Sequence, residues 1–139
     1  MLVRLLYASR AAAPVTQDEL AHIVKKSKAN NGPLGITGVL CYSSGIFMQA
    51  LEGGRMPVNQ LYLRIAADAR HEDVTLLGFE EIGERSFVGW SMGQVNLGRL
   101  NTSLLLKYSE SAVLDPFAMS GRAAMGLFTD LLASASIIG

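Results

Sequence analysis

Ile36-Thr-Gly-Val-Leu-Cys-Tyr42 and Ile46-Phe-Met-Gln-Ala-Leu-Glu52 are two apolar runs separated only by Ser43-Ser44-Gly45. Short apolar runs bounded by a serine–glycine cluster predict a β-hairpin with a short loop. Gly53-Gly54 closes the second run, and Pro57 suits the first turn of a following helix. Upstream, Asn31-Gly-Pro-Leu-Gly35 is a turn whose glycines permit positive φ. It follows a helical stretch that opens at Thr16 with Glu19 three residues on, a capping box. Leu20, Ile23, Val24 and Ser27 mark one face of that helix, which ends near Asn30. Before the Ala11-Ala-Ala-Pro14 break, Leu2–Ser9 alternates as a strand, with Val3, Leu5 and Tyr7 on one face and Leu2, Arg4, Leu6 and Ala8 on the other.

Downstream, Val58, Leu61, Tyr62 and Ile65 give the second helix its apolar stripe. Val74–Ile82 predicts a fourth strand and Ser91–Leu97 a fifth. The order β-α-β-β-α-β-β predicts an α+β, ferredoxin-like sandwich, a five-stranded mixed sheet with two helices on one face. Around Gly98 to Ser103 the character changes. Leu104–Tyr108 predicts a short helix, and Ser120–Ala135 a longer one with Ala124, Phe128, Leu131 and Ala135 on a common face. A tail of about forty residues is too small for an independent domain. Residues 1–98 therefore read as the domain and 99–139 as a C-terminal helical cap.

The 139 residues suit one domain, and 50% apolar against 17% charged composition supplies a core and argues against disorder. Twelve basic residues balance twelve acidic ones, so the chain lacks the electrostatic footprint of a nucleic-acid binder. The same neutrality removes charge repulsion between copies, and self-association is expected. Cys41 is alone, which excludes an intramolecular disulfide or a zinc site built on two cysteines. No run reaches the roughly 18 uncharged apolar residues of a membrane span, and the apolar start is too short for a signal peptide. The reading is a soluble, cytoplasmic protein.

Several polar residues sit poorly in this apolar frame. Gln49 shares its strand face with Phe47 and Leu51, and a buried primary amide needs partners for one acceptor and two N–H groups. A solvent-facing strand or a neighbouring backbone would also satisfy it. Tyr7 is a strand tyrosine whose hydroxyl wants a partner, which a glutamine on a neighbouring strand could supply. Asn30-Asn31 either tolerates left-handed φ at a helix end or offers paired amide groups to a planar heterocycle. Arg64 and Asp68, four apart, form an exposed ion pair or anchor a phosphate or polyol, with Arg70 and His71 close by. Trp90 and Met92 flank Ser91 and so share a face of the fifth strand, as packing or otherwise.

Together, Tyr7-Ala-Ser9, Asn30-Asn31 before Gly35-Ile-Thr-Gly38, Phe47-Met-Gln49-Ala-Leu-Glu52-Gly53, Arg64-Ile-Ala-Ala-Asp68-Ala-Arg70-His71 and Trp90-Ser-Met92 resemble the BLUF domain. The resemblance covers about residues 1–98. Ala69 stands where the family usually has proline, a departure confined to a turn. The tail is similar to that of the short, single-domain members. The resemblance implies a flavin, FAD or alternatively FMN, held noncovalently between the two helices. Asn31 would bond the C4=O and N3 edge of its ring with Asn30 alongside, and Ile23 and Ile65 would flank its faces. Arg64 would meet the phosphate, Asp68 and His71 would lie near the ribityl chain, and Gln49 would bridge the Tyr7 hydroxyl and the ring's N5/C4=O edge.

The implied function is blue-light sensing without a catalytic output domain. Tyr7 supplies an electron and, through Gln49, a proton, and Gln49 is left rotated or tautomerised. The change passes to Trp90, Met92 and the cap, then to an unidentified signalling protein by contact. Two rivals use the same sandwich. An acylphosphatase-like hydrolase would need an anion-cradling loop after the first strand, and Ala11-Ala-Ala-Pro14 beside Arg10 is a poor one. The other is a ligand-binding regulatory module whose cap mediates assembly.

Overall fold

The computed structural model describes residues 1–95, 101–134 and 137–139. In chain order its elements are β1 (Leu2–Ala11), α1 (Gln17–Asn31), β2 (Thr37–Ser43), β3 (Ile46–Gly54), α2 (Arg55–Ala67), β4 (His71–Ile82), β5 (Gly93–Val95), α3 (Thr102–Tyr108), α4 (Gly121–Ala133) and β6 (Ile137–Ile138). The strands lie in the order β4-β1-β3-β2-β5-β6. All pairings are antiparallel except β2 with β5. The α+β sandwich with a mixed sheet is as expected.

Local chemistry explains the boundaries. Thr16 caps α1 by accepting from the Glu19 N–H at 3.1 Å. The hairpin loop is two residues, Ser44 (φ 52°) and Gly45 (φ 79°), because Ser43 still pairs with Ile46. Two left-handed residues in succession match the twist of the strands they join.

Both faces of the central strands β1, β2 and β3 are buried, whereas β4 at the edge has no fully buried residue. Val3, Leu5, Tyr7, Phe47 and Leu51 pack beneath α1 and α2 with Leu20, Val24 and Val58. On the opposite face Leu6, Val39, Met48 and Ala50 pack against Ala124, Leu127, Phe128 and Leu131 of α4. At Gly121 an added Cβ would lie 2.4 Å from the Leu77 carbonyl oxygen, so the start of α4 rests directly on β4 backbone.

One expectation changes. Six strands are found among the described residues, not five, because Ile137 and Ile138 pair with Val95 and Gln94 and cover the edge that β5 would otherwise expose. The segment after residue 101 contains the two expected helices, α4 packing on the face opposite α1 and α2, and adds that sixth strand. The end of the expected fifth strand, the 98/99 boundary and Ala135 lie outside the described residues.

Candidate functional site

A cavity of about 830 Å³ lies between α1 and α2 over the sheet, a size typical of small-molecule sites. Its floor is set by strand register. Tyr7 of β1 stands opposite Gln49 of β3, and its hydroxyl donates to Gln49 Oε1 at 2.5 Å. Gln49 Nε2 donates to Met92 Sδ at 3.2 Å. Both Tyr7 and Gln49 are buried. Burial, with Tyr62 adding to it, raises the Tyr7 pKa above the phenol range, so the hydroxyl stays a donor. The amide thus spends its oxygen on a strong donor and one N–H on a thioether, a weak acceptor. Its second N–H has no protein acceptor among the described residues, and Gln49 lines the cavity.

The helices supply the walls. Ile23 of α1 and Ile65 of α2 line the cavity and pack against the core below it. Asn31, buried, donates from Nδ2 to the Ser91 carbonyl at 3.2 Å. Its φ of −79° is ordinary, and the left-handed position of this turn is Gly35 at 68°. Asn31 therefore does not serve as a left-handed helix end. Asn30 lines the cavity from an exposed position.

At the far end the expected Arg64–Asp68 pair does not form. Helix α2 stops at Ala67, and Asp68 is extended with ψ 124°, which takes the two side chains off a common helical face. Asp68 instead binds the Arg70 guanidinium at 2.6–3.1 Å and accepts from the Arg70 N–H. The side-chain bond to Arg70, aided by the backbone one, takes the Asp68 carboxyl down to about 2. Arg64 lines the cavity and has no carboxylate within ion-pair distance among the described residues. His71 opens β4, with Nδ1 2.7 Å from Ser9 Oγ and its ring 5.0 Å from that of Phe47. Burial lowers its pKa, and Asp68 opposes the shift in part.

Trp90 and Met92 do not share a strand face. The strand begins only at Gly93. Met92 belongs to the core under the cavity, and Trp90 packs with the opposite one. Ser9, Ser91 and Arg70 are partners that the sequence reading did not assign to the site. For Ser9 a signal existed: it follows Tyr7 by two residues and so shares its face.

A cavity walled by Ile23, Leu61 and Ile65 among polar helix residues, with the buried Asn31 at its edge and a tyrosine–glutamine pair on its floor, suits a flat, polar-rimmed ligand. The family model BLUF, sensors of blue-light using FAD, matches residues 2–93, and the chain belongs to that family. It is 43% identical over 86 residues to photoactivated adenylate cyclase subunit alpha of Euglena gracilis, covering 62% of this chain and 8% of that protein. The chain spans only 8–10% of the length of such curated relatives. Among solved structures, BlsA in its photo-activated state matches at TM-score 0.86, and BlrB, a BLUF protein in its dark state, at 0.79. Each is 30% identical, with at least 95% of both chains covered. The chain is a flavin-binding blue-light sensor of this family.

Proposed function

We propose that light is read out in this chain by the Tyr7–Gln49–Met92 line of hydrogen bonds, and that the cavity above it holds FAD, with FMN as a fitting alternative. The residues suit such a group: the volume is adequate, isoleucines face a flat apolar ring, and buried amides face its polar rim. Asn31 and Asn30 would hold the ring edge, Ile23 and Ile65 its faces, Arg64 a phosphate, and Asp68 and His71 the ribityl chain. Bound flavin supplies a blue-absorbing ring that accepts an electron and a proton when excited and returns them afterwards.

The single observation that carries the reading is the 2.5 Å bond from Tyr7 to Gln49 Oε1 between two buried side chains on the cavity floor. Tyr7 is the oxidisable ring attached to the amide, and that bond gives its proton a direct acceptor. Once Gln49 rotates or tautomerises, it no longer offers the same groups to Tyr7 and Met92. A carbonyl turned toward the Met92 thioether faces no donor, so that contact must change. Losing or gaining one or two buried hydrogen bonds is worth about 0.5–3 kcal/mol, comparable with the roughly 1–3 kcal/mol that couples distant sites.

The output would pass by protein contact to a partner, in the cytoplasm and from a self-associated receptor, with no reaction catalysed by these residues. The support is that the chain matches only 8% of the length of the cyclase subunit, over 86 residues, and that the matched family is one of blue-light sensors. No described helix is long and apolar enough to cross a membrane. The decisive variants are Gln49→Leu and Tyr7→Phe. Both should retain flavin and lose the light-induced red shift of its absorption band, and an unchanged shift in Gln49→Leu removes the proposal.

A further inference from the structure

Between β4 and β5 the chain runs through Gly83–Met92 without regular strand, yet it is fastened along its length. Arg85 Nη1 donates to Thr37 Oγ1 at 2.9 Å and to the Glu52 carbonyl at 3.2 Å. The N–H groups of Ser86 and Phe87 both donate to the Glu52 carboxylate, at 2.8–3.1 Å. Gly38 N–H donates to the Trp90 carbonyl at 3.1 Å, and Asn31 holds Ser91. The segment ends on Met92, whose sulfur takes the Gln49 N–H.

Glu52 is the deepest of these fastenings, fully buried. A buried carboxylate survives only when its lone pairs are met by charge and hydrogen bonds. Arg4 supplies both, with Nε at 2.9 Å and Nη2 at 2.8 Å from Oε2, and also reaches Glu80 and Ser86 Oγ at 2.7 Å each. Three residues along β3 from Gln49, Glu52 faces the other side of the sheet and does not line the cavity. Its carboxylate holds Phe87 in the opposite core, edge-on to Phe128 with centroids 6.2 Å apart.

We propose that Glu52 is a positioning residue for the light response: by anchoring the Arg85–Met92 segment it holds the Met92 thioether where Gln49 can donate to it. The inference rests on the role given above to Gln49. Replacing the carboxylate by an amide turns one acceptor into a donor, which must face either the guanidinium or the two N–H groups. The anchor at Ser86 and Phe87 is then broken on one side, and the segment leading to Met92 is held less firmly, by Trp90 and Ser91 alone at its far end.

The experiment is a double-mutant cycle on the full flavin-loaded chain, reading dark recovery of the red-shifted band in wild type, Glu52→Gln, Met92→Ala and the pair. Loss of one buried hydrogen-bonded restraint should change recovery about fivefold in Glu52→Gln at unchanged flavin content. In the Met92→Ala background the same substitution should act less than about twofold, because its target is gone. A change that persists unaltered without Met92 would mark Glu52 as merely structural and overturn the proposal, as would wild-type recovery in folded Glu52→Gln. Should Glu52→Gln fail to fold, Arg85→Ala decides: it frees the same segment without stranding a buried charge, and must show a smaller change that also vanishes with Met92. Failure of the Gln49 reading is separate, since it appears as an unchanged red shift in Gln49→Leu.

Discussion

Polar side chains in the interior of this receptor are placed where a change of partner has a cost, and the half-buried His71 shows how that cost depends on pH. Burial is the main cause of its lowered pKa. The unfolded chain therefore takes up the proton first as pH falls through about 6.5, and the folded chain only lower down. The contribution of His71 is complete above that value and is lost as pH drops toward the folded pKa. Urea midpoints at about pH 7.5 and 5.5 should fall more in wild type than in His71→Gln, which keeps a partner for Ser9 Oγ. Equal falls would show that His71 is not the group responsible. At this scale Tyr7 and Gln49 were legible because polar groups inside apolar runs contradict their surroundings. The Asp68–Arg70 pair was not, since it depends on α2 ending at Ala67, one residue before the carboxylate. Trp90 and Met92 were misassigned to one face for a similar reason: the strand starts at Gly93, and pleat alternation says nothing about the residues before it.

Among the elements, the β2–β3 hairpin was readable because two long apolar runs and a serine–glycine loop allow little else. Strand β1 was readable in extent, but its alternation was ambiguous, for it is buried without interruption from Val3 to Ser9. Two helical layers, not one, account for that. The sixth strand escaped, since two residues carry no period to detect, whereas the fifth falls within the expected Ser91–Leu97. The tightest fit between elements lies at Gly38 of β2, where an added Cβ would come 2.3 Å from the Ala50 carbonyl oxygen on β3. Backbone of a central strand cannot move aside cheaply. Gly38→Ala should cost about 1–3 kcal/mol or more, read from the denaturant midpoint, and should also disturb the Gly38 bond to the Trp90 carbonyl. Unchanged stability would mean that the β2–β3 spacing is looser than the structure has it.

At the scale of the whole molecule the sheet separates two cores, one beneath the cavity between α1 and α2 and one beneath α4, and the hydrogen-bonded strands are common to both. Sequence alone predicts helices in the tail, because α4 has a clear apolar face. It does not predict that this face completes the core, since that depends on which side of the sheet the tail crosses. The consequence is testable. Ending the chain after Val95 removes Leu127, Phe128 and Leu131 and uncovers Leu6, Val39, Met48 and Ala50, a contiguous apolar surface of the kind that drives association. The cavity-lining residues all lie before that point, so the shortened chain retains every group proposed to hold flavin. It should nevertheless aggregate or lose flavin on size-exclusion chromatography, while the full chain, run in darkness and in blue light as the reference, elutes as a defined species that carries flavin. A shortened chain that stays yellow and elutes as a single species would show that the cavity side folds independently, and that the second helical layer serves only to carry the signal away.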